Sequence, residues 1–140
     1  MPWAVVEHTA DVGIEVRATS VDELFRDAAA GLVDTIVPIA ELRPLEEREL
    51  SVEATALDLL LVAWLEELLY VFDTEALLLF AGAVEVREGE GVCSLVAHMR
   101  GERWDTARHS QKVQVKAITY HGLEVTRDAD GWFGRVIFDI

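Results

Sequence analysis

Val12, Ile14, Val16 and Ala18 alternate with Gly13, Glu15 and Arg17. A period of two sends one set of side chains to a buried face, which predicts a half-buried strand over 12–18. The apolar run Trp3 to Glu7 predicts a strand before it, joined by the short polar connection His8-Thr9-Ala10-Asp11. The period then lengthens. Val21, Leu24, Phe25, Ala28, Leu32, Val33 and Ile36 recur at helical spacing and line one stripe of an amphipathic helix. Ser20 and Glu23 have the spacing of a capping box, and Pro38, which breaks helical hydrogen bonding, ends the helix. Leu45 to Ala54 reads as a strand. Thr55, with Asp58 three positions on, caps a second helix whose core stripe is Leu57, Leu60, Leu61, Trp64, Leu65, Leu68 and Phe72. Leu59, Val62, Leu69 and Val71 carry apolar surface nearly all round it, so this helix is either central to the fold or touches a partner as well.

From Leu77 onward the pattern is β. Leu77 to Arg87 and Val92 to Met99 flank the hairpin turn Glu88-Gly89-Glu90-Gly91. Arg100 to Lys112 is polar and irregular. Val113 to Tyr120 and Leu123 to Arg127 predict strands around a turn at His121-Gly122, and Asp128-Ala129-Asp130-Gly131 turns into a last strand, Trp132 to Ile140. Two helices among a run of strands predict an α+β fold, with both helices packed on one face of a largely antiparallel sheet. No internal repeat or linker-like tract interrupts the pattern, so residues 1–140 are expected to form a single two-layer domain.

Composition changes the picture in two ways. With 51% hydrophobic residues in 140, the chain buries a real core and is not disordered. Its net charge of −14 argues against direct binding to a nucleic-acid backbone or an anionic membrane, and leaves metal ions or a basic protein as partners. The 19-residue apolar window Ala54 to Phe72 has a membrane-spanning length, but Asp58, Glu66 and Glu67 within it and the lack of a basic flank predict a buried soluble helix. No secretory leader is evident, and the single cysteine, Cys93, excludes an internal disulfide and a four-thiolate zinc site; both fit a cytoplasmic protein. Asparagine is absent and arginine far exceeds lysine, a composition that leans towards a thermophile.

Candidate chemistry lies in acids and histidines near strand ends. Asp11 with Asp139 and the carboxyl at Ile140 is one candidate oxygen cluster for a hard divalent cation; Asp11 capping a turn and Asp139 at an exposed strand end is the plainer alternative. Glu102, Asp105 and His109 share the irregular segment. The histidines His8, His98, His109 and His121 lack zinc-site spacing, and no phosphate-loop, dinucleotide or nucleophile-elbow motif occurs. Cys93 reads as buried and inert. Asp128 to Gly131 resembles a fragment of a calcium loop but lacks its closing glutamate, so a plain turn is expected. Lys116, one of two lysines, either snorkels on a sheet face or reaches a carboxylate or phosphate.

Taken together, four blocks resemble the archease family in its own order. They are His8-Thr9-Ala10-Asp11-Val12-Gly13-Ile14; Trp64-Leu65-Glu66-Glu67-Leu68-Leu69-Tyr70; Gly101-Glu102-x-x-Asp105-x-x-x-His109 followed by Val115-Lys116-Ala117-Ile118-Thr119-Tyr120-His121; and Gly131-Trp132 with Val136-Ile137-Phe138-Asp139-Ile140. The resemblance implies a small cytosolic protein cofactor, not itself an enzyme, of the RtcB-type RNA ligase of tRNA splicing and RNA repair. It would promote guanylylation of the ligase histidine, sustain multiple turnover and broaden nucleotide use. It also implies a divalent metal site, calcium or else magnesium or manganese, formed by Asp11, Asp139 and the main-chain oxygen of Ile140, with Lys116 matching a residue implicated in activation. Two other readings remain open at this point: a metal-dependent hydrolase using Asp11, Asp139 and His8 or His121, and a chaperone-like module working through the second helix.

Overall fold

Every strand pairing among the described residues is antiparallel, and the strands divide between two sheets. The computed structural model describes residues 2–7 and 11–140. The chain runs β1 (Trp3–Glu7), β2 (Asp11–Ala18), α1 (Val21–Ile36), a 3-10 turn (Ile39–Glu41), β3 (Glu46–Ala54), α2 (Leu57–Glu75), β4 (Leu77–Glu88), β5 (Cys93–Arg103), β6 (Ala117–Ile118), β7 (Glu124–Asp128) and β8 (Gly131–Asp139). The connection His8-Thr9-Ala10 lies outside the described residues. The predicted α+β class is what the structure has.

The five-stranded sheet is organised around β8. Along one edge β2 pairs with it from Asp11 opposite Asp139 to Ala18 opposite Trp132, and β1 pairs with β2 beyond. The other edge is shared: β7 faces Gly131 to Arg135, and β6 faces Phe138 and Asp139. The second sheet has the order β3-β5-β4. Both helices touch both sheets, so the single sheet expected from the sequence resolves into two around shared helices. Val12, Ile14, Val16, Gly134, Val136 and Phe138 bury one face of the larger sheet against them.

The surroundings of α2 explain its unpatterned hydrophobicity. Leu60, Leu61, Val62, Trp64, Leu65, Leu68, Leu69 and Val71 are all buried, because the helix has a sheet on more than one side. Trp64 is fully buried, and its indole N–H donates to the Phe25 carbonyl at 3.0 Å, joining the two helices at the centre of the core. Leu59 and Tyr70 are left exposed.

Local departures from the expected elements have local causes. Ser20 Oγ accepts the Glu23 N–H at 3.2 Å, as a capping residue should. The Glu23 carboxylate, however, takes the Thr19 N–H at 3.3 Å rather than that of Ser20. α2 is capped at Ala56, not Thr55, and no side chain caps it. β5 continues to Arg103, through residues expected to be irregular, because β3 flanks it to Gly101 and β4 pairs with it as far as Arg103. The predicted strand Val113 to Tyr120 shrinks to Ala117–Ile118. β8 ends at Asp139, opposite Ala117, so residues before 117 have no strand left to pair with.

Candidate metal centre

Asp11 is the first residue of β2 and Asp139 the last of β8, and the ladder sets them directly opposite each other. Opposed residues of an antiparallel pair have Cβ atoms about 4.5–5.5 Å apart, where like charges repel. Both side chains fall on the outer face of the sheet, away from the helices, since Val12 and Phe138 beside them are buried inward. Asp11 is half-buried, and its Oδ1 is shielded from solvent with no hydrogen-bond partner among the described residues. Burying such an oxygen unpaired is costly.

Alternation along β8 puts Asp139 on the side of the half-buried Phe133 and Ile137, yet Asp139 itself is exposed. Shelter on that face comes from arginines at the other end of the strand. The Arg17 guanidinium lies 4.7 Å and that of Arg135 5.4 Å from the centre of the Phe133 ring, and Arg135 also bonds Glu15 at 3.2 Å. None of this cover extends to the strand end. Ile140 follows directly, half-buried against the core.

Gly13 holds the two strands close beside this pair. A Cβ there would lie 2.7 Å from both the Val136 carbonyl oxygen and Ile137 Cδ1, nearer than any real Cβ sits. The glycine of the first motif therefore serves the approach of β2 to β8, one turn of the alternation from Asp11.

These donors fit a hard divalent cation. An orphaned buried carboxylate oxygen, a second carboxylate opposite it and main-chain oxygen at a strand end make an all-oxygen set. No three His, Cys, Asp or Glu among the described residues are placed so that they could hold one metal ion together, so the nitrogen and sulfur ligands that zinc favours are not assembled there. The same fact removes the partner histidine that a hydrolase would need from the described part of the site; His8 lies outside it.

Lys116 joins this edge through its backbone. Its N–H donates to the Asp139 carbonyl at 2.7 Å, immediately before β6. Its exposed side chain opens on a shallow groove shared with Glu66, Leu69, Tyr70 and Asp73 of α2. Ala117, not Lys116, stands opposite Asp139. The carboxylates thus face the outer side of the sheet and the lysine its helix side, at one rim.

The motif Glu102, Asp105 and His109 does not join the carboxylate pair. Glu102 is buried and bonded to Arg43 and Arg108, and two arginines and His109 surround its carboxylate. The Arg43 hydrogen bond is the main cause that holds its carboxyl well down, at about 2, against the opposing effect of burial. Sequence reading singled out Glu102 and His109 but missed Arg43, which is 59 residues from Glu102. Elsewhere, burial pushes the Cys93 thiol up, away from reactivity. His98 lies 3.4 Å from Glu47 and 3.8 Å from Glu49 on the exposed face of the small sheet. The Asp130 N–H closes onto Asp128 Oδ1 at 2.8 Å, a plain turn.

No helix among the described residues is long and apolar enough to cross a membrane. The sequence matches the profile of the Archease protein family (MTH1598/TM1083) over residues 3–140. It is 37% identical to the protein archease of Pyrococcus furiosus, over 99% of this chain and 98% of that one. It is 38% identical to its counterpart in Pyrococcus abyssi, with the same coverage, and 34% identical to that of Methanopyrus kandleri over the whole of both chains. The solution structure of Methanobacterium thermoautotrophicum protein 1598 superposes with a TM-score of 0.83 at 26% identity, covering 99% of each chain. On a match running through all four motifs and the whole fold, the chain belongs to the archease family.

Proposed function

We propose that this protein activates an RtcB-type RNA ligase in tRNA splicing and RNA repair, as a cytoplasmic protein cofactor that joins no RNA itself. The observation that carries this reading is the opposition of Asp11 and Asp139 at the rim where Lys116 is tied, in a chain of the archease family. Asp11, Asp139 and the Ile140 main-chain oxygen would hold a divalent cation, calcium or else magnesium or manganese. Bound there, such an ion supplies concentrated positive charge for phosphate oxygens.

The chain's own residues do the rest. Asp11 and Asp139 hold their carboxylates at the end of a paired strand, which fixes their spacing without a loop. Lys116 offers a compact cation on the helix side of the same rim, suited to a nucleotide phosphate during guanylylation of the ligase histidine. The strongly acidic remainder of the surface faces a basic protein more readily than RNA. Purified ligase, GTP, divalent metal and broken RNA test the reading. Multiple-turnover joining that depends on adding this chain supports it, and joining at the same rate without the chain counts against it.

A further inference from the structure

We propose that Glu102 is a positioning residue: through Arg108 and His109 it fixes the strandless segment between β5 and β6, and so sets where Lys116 stands at the rim. Its functional half rests on the reading of Lys116 given above; its structural half does not.

Residues 104–116 form neither helix nor strand. A stretch of that length without secondary structure is uncommon in a compact domain and must find its hydrogen bonds elsewhere. Its anchors are few and spaced. The Trp104 N–H donates to the Ala76 carbonyl, that of Ser110 to Glu41 Oε1, that of Lys112 to the Ile36 carbonyl and that of Lys116 to the Asp139 carbonyl, each at 2.7 Å. The first part of the segment is wrapped around one side chain. Glu102 Oε1 accepts from Arg43 Nη2 at 2.9 Å and from Arg108 Nη1, and lies 3.4 Å from His109 Nε2. Glu102 Oε2 accepts the Arg43 backbone N–H at 2.8 Å. The ring of His109 is wholly buried, and its Nδ1 accepts the Asp105 N–H at 2.9 Å. That bond leaves the ring proton on Nε2, facing Glu102.

One carboxylate therefore joins the end of β5, the turn at Arg43 and the loop 105–109. Gly101 beside it completes the arrangement, since a Cβ there would run into the Leu78 carbonyl. A buried ionic cluster adds little net stability compared with apolar residues of the same volume, but it dictates which groups meet and in what orientation. An apolar replacement would fill the space and leave Arg108 and His109 free to turn. The segment would then begin from an unfixed root, and the anchors at Ser110, Lys112 and Lys116 would hold it less well.

Glu102→Gln keeps the volume and removes the charge. Amide exchange at Ser110, Lys112 and Lys116 should speed up tenfold or more, while Val12 to Val16 of β2 exchange as in the unaltered chain. Calcium titration should stay within twofold, and stimulation of ligation should fall fivefold or more. Arg108→Met is the second variant; it removes one partly exposed arm of the cluster and should show the same pattern more weakly if Glu102→Gln fails to fold. Trp64→Phe, a destabilised control at the α1–α2 contact and outside the segment, should keep its stimulation. Unchanged exchange at the three amides in the folded variants overturns the proposal, and so does an equal loss of stimulation in Trp64→Phe at matched stability. Should the unaltered chain not stimulate the ligase at all, the functional reading fails, and the exchange measurement still decides whether Glu102 positions the segment.

Discussion

Asp11 and Asp139 face each other across the β2–β8 ladder, and an oxygen of Asp11 is buried there without a partner among the described residues. Like charges directly opposite each other across a ladder repel. On the reading proposed above, a cation bound between the two carboxylates would relieve that repulsion and link affinity to stability at one strand end.

Asp11→Asn and Asp139→Asn should separate the two effects. Each should weaken calcium, magnesium or manganese binding tenfold or more. Each should leave the metal-free melting temperature unchanged or higher, because removing one of two opposed charges relieves about 0.2–1 kcal/mol. Zinc should not displace calcium from the unaltered protein at equal concentration. Calcium titration with thermal melting, with and without chelator, checks all three.

The Glu102 cluster predicts a pH signature. Its folded-state pKa, about 2, lies below the ordinary carboxylate value of 4.5, so the unfolded chain takes up that proton first as pH falls. The stabilisation is complete above about pH 4.5, declines as pH falls towards 2, and is lost below it. Denaturant unfolding of the unaltered chain and Glu102→Gln across that window should give a stability difference that narrows steadily with acid. A difference independent of pH would contradict the assignment.

Trp64→Phe should destabilise by about 2 kcal/mol, since it leaves a void in the core and removes the hydrogen bond that ties α2 to the Phe25 carbonyl of α1. The loss should appear in the denaturant midpoint with little change in slope, and cation binding at the β2–β8 edge should be unaffected.

Much of the architecture was readable from periodicity because helices and hairpins are local. The alternation at 12–18 and the stripe from Val21 to Ile36 needed no distant information. What escaped was set by pairing between distant segments. Val113 to Val115 have strand-like residues but no partner, since β8 stops opposite Ala117. The division into two sheets depends on which strands find each other, which composition does not specify. At the site, Asp11 and Asp139 were legible as one candidate oxygen cluster, with a turn cap and an exposed strand end as the plainer alternative, and the family resemblance favoured the cluster; the ladder sets the two opposite each other. The exposure of Asp139 does not follow from its alternation with the half-buried Phe133 and Ile137. Arg43 carried no signal at all, because its meaning comes from a carboxylate on another element.

With a net charge of −14, the isolated chain should show no submicromolar affinity for tRNA at physiological salt. A gel shift or fluorescence titration with labelled tRNA halves checks this. Tight binding by the chain alone would mean that a local surface outweighs the overall field, and would place RNA contact ahead of the ligase as its route of action.

The most direct measurement is the number of RNA joining events per ligase molecule, with GTP and a divalent metal, in the presence of the unaltered chain, Asp11→Asn, Asp139→Asn or Lys116→Ala. The unaltered chain should carry the ligase through many turnovers. The two aspartate variants should drop it to about one turnover while keeping their melting temperatures, and Lys116→Ala should lower guanylylation with calcium binding intact. Full turnover with Asp11→Asn and Asp139→Asn, at normal stability, would contradict a metal-centred activation by this edge of the fold.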